Sequence, residues 1–518
     1  MQTGISPLKE RGVRINRQPD NTSSLFETAR PDSKRTDILV YALLAALFVF
    51  RLVYAGFLGL LPDEAYYWEW SRSPAFGYFD HPPMIAWFIA LSRALFGDTV
   101  LGVRFLMCGA ALGASVASYL LLKKFVRTAF PLITWAVLSN VILLFGVGSM
   151  LATPDIPLVL FWSLSLLAGY KAVFESKTFW WLLLGVLCGL GMLSKYTFVL
   201  FPASLVVFII ISRDHRRWIG RWQPWISFAI GALVWMPNLV WNHRHHWESI
   251  LFQLQHGVDS HAALHFDLLG EFVAGQLGVL SLVPMILLGF ALDSILRKKA
   301  GGAHALYPVV FFLVPFCFFL LSSLQKKVEA NWAAGAYMSG LMLIPIVLEH
   351  LDTKKSVFLR RFTVFSIVFA AVTTAAVLVE IRVPFLPLAA QNDPGAQARG
   401  WKALAGEINM VRTRIDPSHT LPVCANRYQD AALLAFYLPD HPRTFTLNFA
   451  SRGSQYALWP ERRPPVAAKV IFLHSTDDPN LTNLCEKNFS SYALWDKVNL
   501  YQGPKEIVAW GILTGTLR

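Results

Sequence analysis

Six short polar stretches carry the side chains of this 518-residue chain that could do chemistry. They are Asp63-Glu64, Tyr78-Phe79-Asp80-His81-Pro82-Pro83, Thr153-Pro154-Asp155, Ser194-Lys195-Tyr196, WNHRHHWES at 241–249 and KKVEANW at 326–332. Their residue types suit two tasks. Carboxylates such as Asp63, Glu64 and Asp155 can take a proton from an attacking hydroxyl. Cations and donors such as Lys195, Lys326, Lys327 and His81, together with Arg104 outside these stretches, can hold an anion or stabilise negative charge as it develops.

The elements that must position these stretches are membrane helices. Hydrophobic residues make up 55% of the chain and charged residues 15%, with a mean hydropathy of +0.45. A soluble domain carries roughly a quarter charged residues. The apolar residues come in blocks, and runs of about 18 or more are candidates to span a bilayer. Eleven such segments are expected, near 37–58, 100–122, 128–148, 156–174, 179–194, 197–212, 224–241, 269–296, 305–324, 333–350 and 362–382. An odd count puts the two termini on opposite sides.

The formal net charge of +13 invites a nucleic-acid reading. The placement of the cations excludes it, because they lie in short loops between apolar blocks, where membrane orientation demands them. Alternate loops hold Lys123, Lys124 and Arg127; Lys177; Arg213, Arg216, Arg217 and Arg221; Arg297, Lys298 and Lys299; and Lys354, Lys355, Arg360 and Arg361. The positive-inside rule makes these loops cytoplasmic. The same side takes the polar tail at 1–36, which has no apolar signal region and reads as disordered. All six polar stretches then face outward, away from the cytoplasm, together with residues 383–518. Polarity gathered on one face points to a site at the outer surface.

The first outer loop, about 59–99, mixes carboxylates with Tyr66, Tyr67, Trp68 and Trp70. It ends in MIAWFIALSRALF at 84–96, too short to span. Two helices lying on the outer leaflet are expected there. From about 383 a helical pattern at 400–415 leads into the strand-like runs TLPVCA, RTFTLN, KVIFLH and EIVAWGIL, with helical QDAALLAFYL between the first two. This alternation predicts a small α/β domain over 383–518 behind a transmembrane domain at 37–382. Cys108, Cys188 and Cys317 lie in apolar blocks as packing residues; Cys424 and Cys485, if periplasmic, could form a disulfide.

The polar stretches taken together resemble the GT-C membrane glycosyltransferases, and among these the superfamily of protein O-mannosyltransferases and lipid A aminoarabinose transferases. The matching features are Asp63-Glu64 just after the first helix, the Tyr-Phe-acid-base-Pro-Pro motif at 78–83, and Arg104 early in the next helix. The Thr-Pro-Asp turn, the Gly-x-x-x-x-Ser-Lys segment at 189–195 and the Lys-x-Glu-x-Asn-Trp segment at 327–332 also match. The resemblance covers about 37–350, and RYQDAALLAFYLP and SRGSQYALWP further on look like a bacterial branch. It implies an enzyme that moves a sugar from a polyprenyl phosphate to an acceptor hydroxyl.

On that resemblance Asp63 is the general base, Glu64 orients it or the acceptor, and Asp155 binds a sugar hydroxyl or supports the base. Lys195, His81, Arg104, Lys326 and Lys327 are expected around the donor phosphate, and Tyr78, Asp80, Glu329, Asn331 and Trp332 around the substrates. His81 stands where the aminoarabinose transferases usually have Lys, so a neutral ring there offers a hydrogen bond instead of a fixed charge. Each residue has a plainer reading beside this one. Asp63 and Asp155 can cap helices, Lys195 can snorkel from a helix end, and Arg104 can pair with a carboxylate inside the membrane. Tyr78 and Trp332 can anchor at the interface. No cofactor is required, and only His261 and His265 have a spacing that a divalent metal could use.

The acceptor on this reading is lipid A or lipopolysaccharide core, with a secreted protein's Ser or Thr as the alternative. A transporter or flippase is the competing class. It would place ionisable groups near the bilayer midplane, where only Arg51 and Glu271 stand out. A non-catalytic scaffold binding lipid or sugar is the third.

Overall fold

The computed structural model describes residues 31–257, 264–297, 301, 303–350, 353–387, 393, 395–447, 453–459, 461, 467–475, 481–502 and 505–518. Most of the expected disordered tail, and His261 of the histidine pair, lie outside the described residues. The first helix already begins within that tail, running Pro31–Gly56.

Apolar helices dominate. Six are long and apolar enough to cross a membrane: Lys34–Gly56, Val100–Leu122, Asp155–Phe174, Trp222–Arg244, Ala330–His350 and Val357–Arg382. Three further pairs pass the same test but are bent by 70°, 115° and 100°: Ala129–Val141 with Leu143–Met150, Tyr196–Ile211 with Arg213–Gly220, and Phe266–Leu280 with Leu282–Leu296. By length and composition the described residues thus hold six spans, or up to nine if each bent pair is one span, against eleven expected. Two expected spans correspond to the shorter helices Thr178–Met192 and Leu306–Ser322, of 15 and 17 residues. The stretch read as one span at 269–296 turns by 100° at Ser281, whose φ is +67°. Hydropathy runs straight across that break and carries no trace of it.

The connections sort to two ends. At one end Lys123 donates to Asp37 (2.6 Å), Lys124 to Glu175 (2.9 Å) and Arg217 to Ser176 (3.0 Å), and Glu349 accepts the Thr128 amide at 3.2 Å. These are the basic loops. At the other end lie the turns with Asp63, Asp155 and Lys195. Between the ends, Arg51 donates to Asn140 Oδ1 (2.9 Å) and to the Phe145 carbonyl (3.1 Å), so this mid-helix cation is spent on holding the bend at Ile142.

The C-terminal region carries a five-stranded sheet in the order β2-β1-β3-β5-β4. Its strands are β1 Val423–Ala425, β2 Thr444–Thr446, β3 Lys469–Ser475, β4 Phe489–Gln502 and β5 Lys505–Leu517. β1 pairs parallel with β2 and β3, and β5 antiparallel with β3 and β4. Parallel neighbours need a crossover, and the helix Tyr428–Tyr437 supplies it between β1 and β2. All four expected strands are present. β4 was not expected, because register shifts at Phe489/Ser491 and Leu494/Asp496 break its alternation. It is an edge strand with Tyr492, Leu494 and Trp495 exposed. Cys424 and Cys485 are free thiols buried in one apolar cluster with Phe472 and Leu513. The disulfide considered from their placement does not form.

The largest departure from expectation concerns the first outer loop. The helix Pro62–Ser71 does not lie on a leaflet: eight of its ten residues, Glu64 to Ser71, are buried. Tyr66, Trp68 and Trp70 share one hydrophobic core with Trp401, Leu404, Leu433, Phe436, Tyr456 and Ile471 of the C-terminal region. The aromatics taken for interfacial anchors are core residues that join the two regions. The second helix, Met84–Phe96, keeps Leu91 and Leu95 exposed.

Candidate active site

The acidic helix starts as its sequence directs. Pro62 takes the first helical position, where its missing N–H costs nothing, and Asp63 and Glu64 fill the first turn, where the helix dipole favours carboxylates. The two acids then diverge. Glu64 is 1% exposed and reaches back to the Leu61 amide at 2.9 Å, the capping-box contact. Its other oxygen accepts the Ala152 amide at 2.7 Å. Arg104 approaches both oxygens, Nε to Oε1 at 2.8 Å and Nη2 to Oε2 at 2.5 Å. The remaining Arg104 donors go to the carbonyls of Ala55 (2.8 Å), Leu58 (3.0 Å) and Gly59 (2.8 Å), which close the end of the first helix.

A guanidinium has five N–H donors, and these contacts use all of them. Arg104 was expected at a donor phosphate; the structure places it on protein groups instead, and Glu64 with it. Together they tie the Asp63 turn to the loop that leads into Asp155. Asp63, one residue earlier, is exposed. Burial first, and the Asp63 carboxylate next, hold the Tyr428 hydroxyl above its ordinary pKa.

Asp155 opens the helix Asp155–Phe174 and is 8% exposed. Lys195 Nζ donates to its Oδ1 at 2.7 Å and Asn331 Nδ2 to its Oδ2 at 2.8 Å. The Lys195 ammonium also lies 5.8 Å from the Trp332 ring centre. Three expected site residues from three connections thus meet on one carboxylate. An ammonium has three donors, and among the described residues its one hydrogen bond goes to Asp155.

The segment at 78–84 joins this cluster through the Met84 amide, which donates to the Leu193 carbonyl at 3.0 Å. His81 follows Asp80 there. Burial, with the Lys195 charge second, pushes its imidazole down to about 3. The ring is therefore neutral near pH 7 and adds no fixed cation, and its Nδ1 has no hydrogen-bond partner among the described residues. An unfolded histidine titrates near 6.5. Between these values the unfolded chain binds the extra proton, so stability falls as pH drops from about 6.5 towards 3. His81→Gln removes this contribution. Its melting temperature in detergent is expected to fall less than the wild-type value between about pH 7 and pH 5; equal falls would show that the ring is not held neutral.

Other expected residues are placed differently. Tyr78 was expected at a substrate but is fully buried, stacked on Trp70 with ring centres 4.5 Å apart. Its hydroxyl accepts the Ala75 amide (2.9 Å) and faces the Trp70 and Ser73 carbonyls (3.1 Å each), leaving it no open face. Asp80 is 3% exposed and accepts from Tyr66 Oη at 2.9 Å. Glu329 sits 3.3 Å from Lys327, and both are exposed. Lys326 is half-buried.

Several residues outside the expected set hold the site together. Asn242, from the WNHRHHWES run, is buried and donates to Tyr196 Oη at 3.0 Å, beside Lys195. Gln253 donates to the Asp80 carbonyl at 2.7 Å. Tyr437 accepts the Leu60 amide at 2.7 Å, and the Tyr428 ring lies 4.5 Å from that of Tyr66. The signal for the last two was present in RYQDAALLAFYLP, but nothing local in that run says which surface it meets.

Several known proteins share sequence or fold with this chain. The family model described as dolichyl-phosphate-mannose-protein mannosyltransferase matches residues 80–241. The lipid A galacturonosyltransferase RgtD of Rhizobium johnstonii is 28% identical over 299 residues, 54% of this chain and 59% of that protein. The undecaprenyl phosphate-alpha-4-amino-4-deoxy-L-arabinose arabinosyl transferase 1 of Pseudomonas fluorescens is 27% identical over 350 residues, 61% of this chain and 59% of its own. The chain thus spans about three fifths of the length of these relatives. The solved structure of ArnT from Cupriavidus metallidurans in the apo state superposes with a TM-score of 0.66 at 15% identity, covering 93% of this chain and 98% of ArnT. The same protein bound to undecaprenyl phosphate gives 0.66 at 14% identity, with 92% and 97% covered. The chain thus carries the mannosyltransferase signature over 80–241 and shares the ArnT fold over 93% of its length.

Proposed function

We propose that this chain is a bacterial inner-membrane enzyme that transfers a sugar from a polyprenyl phosphate to a hydroxyl of lipid A or lipopolysaccharide core, on the periplasmic side. The observation that carries the reading is the convergence of two carboxylate turns at one end of the helices, with a buried lysine on the second. In the proposed reaction the acceptor oxygen attacks the anomeric carbon and Asp63 takes its proton. The bond from that carbon to the phosphate oxygen breaks, and the phosphate leaves with the electron pair. The Lys195 ammonium, held by Asp155, faces the developing charge. His81 offers a neutral hydrogen-bonding ring beside it, and Glu64 and Arg104 position the Asp63 turn. The basic loops at the opposite end support a cytoplasmic assignment for that end.

The names of the relatives support the two substrates: one acts on lipid A, and ArnT is solved with undecaprenyl phosphate. Arg51, spent on Asn140 and Phe145, offers no midplane site of the kind a transporter needs. The description of the family model favours a second reading, transfer to a protein. Mass spectrometry of lipopolysaccharide and envelope proteins from a deletion strain separates the two. A sugar missing from lipid A or core is the expected result, a glycan missing from a protein favours the second reading, and loss from neither overturns both.

The lysine has its own test. Lys195→Gln keeps a donor for Asp155 but removes the charge. Since a hydrogen bond to a charged group contributes about 1.5–3 kcal/mol, undecaprenyl phosphate is expected to bind this variant roughly ten- to a hundredfold more weakly in nanodiscs. Unchanged affinity would take Lys195 away from the phosphate.

A further inference from the structure

Among the contacts of the C-terminal domain with the candidate site is a closed ring of hydrogen bonds. The Gln455 amide donates to Tyr66 Oη at 2.6 Å, Tyr66 Oη donates to Asp80 Oδ2 at 2.9 Å, and the Phe79 amide donates to Gln455 Oε1 at 2.8 Å. Phe79 and Asp80 are consecutive, so the circuit returns to its start. Tyr66, Asp80 and Gln455 are 2%, 3% and 4% exposed. The two bonds at Tyr66 are buried, where hydrogen bonds are strongest and broken ones most costly, and the bond from the Phe79 amide is part-buried. Its surroundings fit closely: a Cβ on Gly453 would come within 2.7 Å of the Phe79 ring, and the Tyr456 ring lies nearly parallel to that of Tyr66, at 8°.

The ring joins three parts of the chain that also pack together through Tyr78 on Trp70 and Tyr456 beside Tyr66. Tyr66 lies three residues after Asp63 on the acidic helix, so the two are neighbours along one helical face. His81 follows Asp80 directly. Gln455 arrives from nearly 400 residues away and meets both. Its side-chain oxygen holds the 79–81 segment while its backbone holds the acidic helix.

We infer that Gln455 is a positioning residue for sugar transfer, through which the C-terminal domain sets the distance between Asp63 and the His81–Lys195 side of the site. This rests on the transferase reading above. Misplacing reacting groups by about 1 Å costs roughly a hundredfold in rate, so a loosened ring acts on turnover more than on binding.

The full-length protein in nanodiscs provides the test. Gln455→Met keeps the side chain's length and removes the acceptor; Gln455→Glu keeps an acceptor oxygen. The methionine variant is expected to lower kcat roughly ten- to a hundredfold with the donor KM nearly unchanged, and the glutamate variant to recover most of the rate. Tyr66→Phe should lower kcat similarly, and the double variant Tyr66→Phe/Gln455→Met should be little worse than either single one, because one ring is broken in each. Tyr492→Ser, on the exposed edge strand, should leave kcat alone. Hydrogen exchange reads the ring without any substrate: the Phe79 amide is expected to exchange faster in Gln455→Met. Unchanged exchange at Phe79, additive losses in the double variant, or a change confined to KM would each overturn the inference. If exchange responds but no sugar transfer is found in the wild type, the ring stands as structure, and the positioning role falls with the transferase reading.

Discussion

Asp63→Asn is expected to reduce sugar transfer by a factor of about 10²–10⁴, the range that a positioned general base contributes, while the protein is made and inserted at normal levels. The separation of the two effects follows from the division of labour in the acidic turn. Glu64 caps the helix, receives Arg104 and holds the Ala152 amide. Asp63 is exposed and stands in the first turn, which Asn fills with the same shape. Loss of a charge at a helix N-terminus costs about 0.3–1 kcal/mol, too little to affect folding. Turnover of a polyprenyl-phosphate sugar, set beside melting temperature and expression, checks both halves. Unchanged transfer would remove Asp63 as the base, and failure to fold would show a structural role that its exposure does not suggest.

The second large effect is on stability. Arg104→Met leaves the Glu64 carboxylate buried without its counter-charge and strips donors from three carbonyls at the end of the first helix. Breaking a buried ion pair from one side costs about 3–5 kcal/mol, a large share of the 5–15 kcal/mol that typical folded proteins have. Little folded protein is expected, and a clearly lower melting temperature in what remains. Arg104→Lys should not rescue it, since an ammonium cannot reach two carboxylate oxygens and three carbonyls at once. Adding Glu64→Met to Arg104→Met should recover part of the loss, because the uncompensated charge goes with it. A melting temperature that Arg104→Met leaves unchanged would refute this account, and would return the arginine to the donor phosphate.

These two expectations depend on different kinds of information. That Asp63 and Glu64 open a helix is legible locally, from Pro62 and the acidic first turn. That one acid is spent on structure and the other left exposed is not, because it depends on Arg104, forty residues away, and on the Ala152 amide. The same holds for Tyr78: its motif marks it out, but whether its ring faces a substrate or Trp70 is a matter of packing. For His81 the doubt about its charge came from the resemblance, in which Lys is usual at this position. Its neutrality follows from burial and from Lys195, which a different connection supplies.

By itself the sequence determined the apolar helices, the alternation of basic loops with polar ones, the strands β1, β2, β3 and β5, and the short list of residues able to do chemistry. Each of these is written in neighbouring residues: in hydropathy over about twenty positions, in cation bias between spans, or in alternation along a strand. Only the tertiary structure decided where the helices break, which cations are already satisfied, and that the aromatics of the acidic helix are core shared with the C-terminal region. Those outcomes depend on filling the donors of Arg104, burying Trp68 and Trp70, and closing the ring through Gln455. Each requires groups tens to hundreds of residues apart to meet, and local composition carries no record of such meetings.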